Sequence, residues 1–158
     1  MVIILTLLSC AGGKESIYSF VEEPPFKIQQ AQFQKWVAGV QGGGSGVNVQ
    51  VTILEIQEGV QIKELYFREQ IVKARSNFET PDYFTGEFLN QPRPDVIMDG
   101  DAVQEAQNTP PREFPFQLKD DEAVISYSLK GEVYFVKVSS MEEKPMLAYP
   151  GQNPNIKD

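Results

Sequence analysis

Val47-Asn48-Val49-Gln50-Val51-Thr52-Ile53 is the stretch whose reading decides the fold. Val47, Val49, Val51 and Ile53 share one parity; Asn48, Gln50 and Thr52 share the other. A period of two puts successive side chains on opposite faces, so this is a strand with one face buried and one in water. Leu54 and Ile56 then change parity, which predicts a bulge or a second buried face. Before the strand, Gly42-Gly43-Gly44-Ser45-Gly46 reads as a hairpin loop. A phosphate cradle needs a Gly-Lys-Ser/Thr ending that opens a helix, and here a strand follows.

Outward from this segment the same alternation recurs. Phe26 to Gln41 reads as one long strand with an irregularity near Gln30, or as two short strands; a helix over Ala31 to Val40 is the alternative, since Phe33, Trp36, Val37 and Val40 have helical spacing. Gln57-Glu58-Gly59 predicts a turn, and Val60 to Glu69 a returning strand that changes parity midway. Ile71 and Val72 lead into another short strand. Glu79 to Pro115 holds six prolines and reads as a long connection. Within it Asp95 to Met98 suits a brief strand, and Asp101 with Gln104 suits the capping box of a short helix. Phe114, Phe116 and Leu118 alternate once more, and Lys119 to Glu122 form a turn. Ala123 to Leu129 and Val133 to Val138 make a hairpin around Lys130-Gly131. The second of these has apolar residues on both parities, which predicts a central strand. Seven or eight short strands with little helix predict an all-β fold, an antiparallel β-sandwich, for which an immunoglobulin-like form without the antibody disulfide is one candidate, and a small barrel is the alternative.

The chain of 158 residues is one ordinary domain in size. Its charge is −8, which disfavours nucleic-acid backbones and anionic bilayer surfaces. There is no histidine, and Cys10 is the single cysteine. That excludes Ser-His-Asp and Cys-His hydrolases, His-ligated or thiolate metal centres, intrachain disulfides and Cys-x-x-Cys redox chemistry. No cofactor is expected.

The first ten residues concern location. Val2 to Leu8 is an uncharged apolar run, broken only by Thr6, too short to span a bilayer, which takes about 20 residues, but suited to the hydrophobic part of a signal peptide. It ends in Leu7-Leu8-Ser9-Cys10, which resembles the bacterial lipobox. The resemblance implies a signal peptide over residues 1–9, acylation of the Cys10 thiol, and a membrane partner engaged through acyl chains. Leu8 stands where a small residue is more usual, and no Lys or Arg precedes the run, which raises the expectation of a start codon upstream. A buried N-terminal strand with a structural cysteine is the alternative. Residues 10–25, small and polar at first, then read as the lipidated cysteine and tether, with Ile17, Tyr18, Phe20 and Val21 as docking points. Residues 26–149 form the domain and 150–158 a flexible tail. With Asp121-Glu122-Ala123-Val124-Ile125-Ser126-Tyr127 near its end, the chain resembles small lipoproteins of Bacteroidetes-type bacteria, which implies a cell-envelope location.

Site candidates are few. Asp95, Asp99, Asp101 and Glu105 cluster in the proline-rich connection; Asp99 and Asp101 faintly resemble a calcium loop, without the EF-hand order of ligands. Trp36, Tyr18, Tyr66, Tyr83 and Phe84 are candidates for a carbohydrate or peptide platform, with Tyr83-Phe84 the pair most open to solvent, although aromatics in strands are more often core. The expected function is a lipid-anchored, non-enzymatic envelope domain working through protein or glycan contacts. A small carboxylate-based hydrolase is the alternative.

Overall fold

The structure, a computed structural model, describes residues 18–90 and 112–154. Among these residues there is no helix, and eight strands form two four-stranded sheets packed face to face: β1 (Lys27–Ala38), β2 (Ser45–Leu54), β3 (Gln61–Phe67), β4 (Gln70–Lys73), β5 (Tyr83–Leu89), β6 (Ala123–Leu129), β7 (Glu132–Val138) and β8 (Glu142–Tyr149). The sheets run β5-β2-β1-β8 and β4-β3-β6-β7. β2 pairs with β5 while β3 pairs with β6, so two strand pairs interlock between the sheets, and β8 lies beside β1.

The core lies between the sheets. Val47, Val49, Val51 and Ile53 of β2 meet Leu65, Phe67, Phe84, Phe88, Ile125 and Tyr127, all buried. The alternation in β2 thus marks an inner face. β1 is one strand, not a helix, and its register on β2 slips between Ile28 and Gln30. The parity change after Ile53 is the strand's end: Glu55 takes φ 53°, and the chain leaves for the other sheet. Accordingly β3 does not return beside β2. It pairs with β4 and β6, and the turn at Gly59, φ 85°, belongs to a crossover between sheets.

Several expectations are corrected. β7 is an edge strand, with Val133 56% exposed; the strand covered on both faces is its partner β6. Aromatics on both parities of β7 gave the wrong impression because Phe20 reaches its outer side, forming a parallel bridge with Phe135, while the Val21 N–H donates to the Phe135 carbonyl at 2.8 Å. Phe114 to Leu118 is extended but joins no sheet; it lies over a face. The proline-rich connection starts only after β5, whose Phe84 and Phe88 are core. The C-terminal segment adds β8, which runs parallel to β1. Pro145, with no N–H to give a ladder, sits where that register slips, and its carbonyl accepts from Gln34 Nε2 at 2.8 Å. Met146 stays exposed. The first residues after Tyr149 are not a free tail, for Asn153 is 2% exposed. Asp95 to Met98, the expected helix at 101–107 and the residues before Tyr18 lie outside the described residues.

Candidate functional site

The outer faces of the two sheets differ in chemistry. On the β5-β2-β1-β8 sheet, the parity opposite to the core carries Gln32 and Gln34 from β1, Asn48, Gln50 and Thr52 from β2, and Tyr83, Thr85 and Glu87 from β5. Register sets them side by side: Gln32 opposite Gln50, Gln50 opposite Thr85, Asn48 opposite Glu87, Thr52 opposite Tyr83. The amides link laterally, Gln30 Nε2 donating to Gln32 Oε1 at 3.1 Å and Gln32 Nε2 donating to Gln50 Oε1.

Asn48, Gln50, Tyr83, Thr85 and Glu87 line a depression of about 310 Å3, with Arg75 at its side. Arg75 arrives from the other sheet. The Arg75 N–H donates to the Thr85 carbonyl at 2.9 Å, and the Arg75 carbonyl accepts from the Thr85 N–H at 2.8 Å, so the segment after β4 covers the edge of β5. Tyr83 enters β5 from a turn in which Asn77 Oδ1 accepts from the Thr80 N–H at 2.7 Å and from its hydroxyl at 2.8 Å. Gly86 is required on the reverse side of this strand: a Cβ there would lie 2.7 Å from Val72 and 2.8 Å from Leu65.

Electrostatically the depression is mixed. Burial pushes the Glu87 carboxyl above its ordinary value, against the Arg75 charge and the Asn153 amide, whose Nδ2 donates to Glu87 Oε1 at 2.7 Å. Burial likewise raises the Tyr83 phenol. The amides are the useful groups, because each offers both donors and acceptors, as hydroxyl-bearing ligands require. Tyr83 adds a ring beside them.

The five aromatics expected to form one platform are divided among four places. Phe84 is core and unavailable, correcting its reading as an exposed contact. Trp36, 1% exposed, lies on the outer face of its sheet beneath the C-terminal segment, with Tyr149 at 6.0 Å between ring centroids. Tyr18 and Tyr66 belong to an aromatic layer on the opposite sheet. Tyr83 alone reaches the depression. Asn48 and Gln50 were legible as a polar parity, but nothing in the sequence joined them to Glu87 and Arg75, because β5 was hidden in a proline-rich stretch. Cys10, Asp99 and Asp101 lie outside the described residues. Among the described residues no group of three or more acidic, histidine or cysteine side chains is placed to hold a metal ion.

The second sheet's outer face is closed. Val124, Tyr66 and Phe116 are buried there beneath Phe20, Phe114, Leu118 and Phe135. Phe116 meets Tyr66 at 5.1 Å and Phe135 at 5.3 Å, edge to face. Arg112 pins this strap with Nη2 to Glu64 Oε1 at 2.6 Å and Nη1 to Glu64 Oε2 at 3.3 Å, and the Tyr66 hydroxyl donates to Glu64 Oε2 at 2.8 Å. Burial alone would raise Glu64; Arg112 and Tyr66 outweigh it and hold the carboxyl below its ordinary value. Burial, then the Glu64 carboxylate, pushes Tyr66 up to about 12.

Comparison with known protein families, characterised proteins and solved structures finds no match for this chain.

Proposed function

We propose that this protein is a lipid-anchored binding module of the bacterial cell envelope, holding a hydroxyl-rich ligand, a glycan, on the outer face of its β5-β2-β1-β8 sheet. The observation that carries this reading is the convergence of Asn48, Gln50, Tyr83, Thr85, Glu87 and Arg75 from three separate segments on one depression of about 310 Å3. Amides fixed on strands present donors and acceptors at set spacing, and a phenol ring gives a sugar's C–H face something to lie on. The lipobox resemblance at Leu7-Leu8-Ser9-Cys10 supplies the location.

Binding is favoured over hydrolysis because glycoside hydrolysis needs two carboxyl groups flanking one bond. Among the described residues, Glu87 is the one carboxylate that lines this depression.

A glycan array probed with the full-length protein tests the reading, followed by calorimetry on any glycan retained. Tyr83→Ala and Gln50→Ala should each weaken binding about tenfold, or 1.4 kcal/mol, with an unchanged circular dichroism spectrum. Retention of no glycan, or equal affinity in both variants, refutes the site. Shortened glycan after incubation would favour the hydrolase. The anchor is tested separately: Cys10→Ser should abolish fatty-acid labelling and move the protein from membrane to soluble fractions.

A further inference from the structure

A second concavity, about 570 Å3, opens at one end of the sandwich, where β3 turns into β4. Its walls run against the charge of the molecule. The chain carries −8, yet Lys35, Arg68 and Lys119 all line this space, against Glu69 and Asp120. Lys35 is paired with Glu143 at 2.7 Å. Neither Arg68 nor Lys119 has a carboxylate within salt-bridge distance of its side chain among the described residues; Glu143 acts on Arg68, and Glu122 on Lys119, only at longer range.

Arg68 is held in place without such a partner. Its guanidinium lies over the Phe33 ring at 5.1 Å and the Phe67 ring at 4.9 Å, and its Nη2 donates to the Asp120 carbonyl only at 3.4 Å. Stacking fixes the plane of the guanidinium, and with it the direction of its free N–H groups. The backbone beneath is also unusual. Arg68 and Glu69 occupy both central positions of the β3–β4 turn with φ 45° and 63°. The β6–β7 turn uses the same left-handed pair with Lys130 and Gly131, at 53° and 87°, where glycine relieves one position. Two side-chain-bearing residues in this conformation mark a position held by its surroundings, of the kind found at ligand sites. Phe114 and Leu118, both half-buried and packed on the buried Phe116, supply an apolar wall beside these cations.

We propose that this concavity binds an organic carboxylate with an apolar body, the carboxylate on Arg68 and Lys119 and the body along Phe114 and Leu118. A planar carboxylate matches the fork of a stacked guanidinium. An inorganic anion leaves the apolar wall in water; an uncharged apolar ligand leaves the two cations unused. The concavity shares no lining residue with the glycan depression and does not depend on it.

Titration of the isotope-labelled full-length protein with 4-phenylbutyrate, followed by amide NMR shifts, tests this. Saturable shifts should centre on Arg68, Glu69, Lys119 and Asp120. The uncharged analogue 4-phenylbutanamide and inorganic phosphate should each bind at least about tenfold more weakly. Arg68→Gln should weaken 4-phenylbutyrate by about tenfold, and Lys119→Gln, at a more solvated cation, about threefold. The Lys119 variant keeps the test open if loss of Arg68 perturbs the fold. Absence of saturation, shifts centred elsewhere, equal binding of the uncharged analogue or of phosphate, or unchanged affinity in the Lys119 variant and in any folded Arg68 variant would overturn the proposal.

Discussion

The two outer faces of this sandwich received opposite treatment from the same chain. One keeps glutamine, asparagine and threonine across β1 and β2 and stays open, apart from the C-terminal segment over Trp36. The other is roofed by residues 18–21 and 112–118, which bury Val124, Tyr66 and Phe116 in a second apolar layer. The difference teaches how a sheet with two apolar faces is tolerated in a small domain. β6 is buried on both parities, so it needs a cover, and the chain supplies one from its own loops. β2 alternates strictly and needs none.

The comparison presumes an intact inner core, and breaking that core should have the largest effect. Val51 is fully buried between the sheets. Val51→Asp places an unpaired charge there, at a cost of several kcal/mol against a total stability of about 5–15. The variant should lack the β-type circular dichroism of the parent; a native spectrum and melting curve would contradict the core assignment.

Next comes a matched pair across the two faces. Phe116→Ala should lower unfolding free energy by about 3 kcal/mol, because it empties the middle of a packed aromatic layer. Gln50→Ala, on the open face, should change it by less than about 0.5 kcal/mol. Urea denaturation of both gives the contrast directly, and equal effects would mean the roof is not a core.

A smaller effect belongs to the pin on that roof. Arg112 binds Glu64 through two nitrogens, but its side chain is 61% exposed, so solvent screens the pair. A double-mutant cycle with Arg112→Ala and Glu64→Gln should give a coupling of about 0.5–1 kcal/mol, falling at high salt.

The smallest effects separate the faces by pH. Glu64 is held below the ordinary carboxyl value of 4.5, so its stabilising contribution is complete above 4.5 and is lost as pH falls through the folded-state value. Glu87 is raised above the same 4.5, so ionising it opposes folding, and that penalty is absent below 4.5 and complete above the folded-state value. Glu64→Gln should therefore destabilise more at pH 7 than at pH 3, while Glu87→Gln should gain ground on the parent as pH rises. Melting temperatures across this range check both signs, and parallel curves would show that neither carboxyl is coupled to folding.

How much of this was legible residue by residue follows from where the signal lives. The β6–β7 hairpin was readable because Lys130-Gly131 announces its own turn and the pairing is local. The slip in β1 near Gln30 was readable because parity changes there. β5 was not, since Pro81 and the prolines after Asn90 lower the apolar density around a strand of seven residues, and its Gly86 looks like a breaker until the Val72 and Leu65 side chains beneath it are known. β8 was not, because an edge strand paired in parallel with β1 buries little and carries a proline. The candidate site was half legible: its Asn48 and Gln50 belong to a visible polar parity, whereas Glu87, Thr85 and Arg75 joined them only through long-range pairing.

By itself, then, the sequence determined the all-β class, the inner face of β2, the positions of the glycine turns and the absence of histidine chemistry, because period, backbone freedom and composition are local properties. Which sheet each strand joined, which face was roofed, and which polar residues met around a depression were decided by the tertiary structure alone. Those outcomes depend on burying the apolar parities of β6 and β7 under segments remote in the chain, and solvent exclusion acts between surfaces, whatever their separation in sequence.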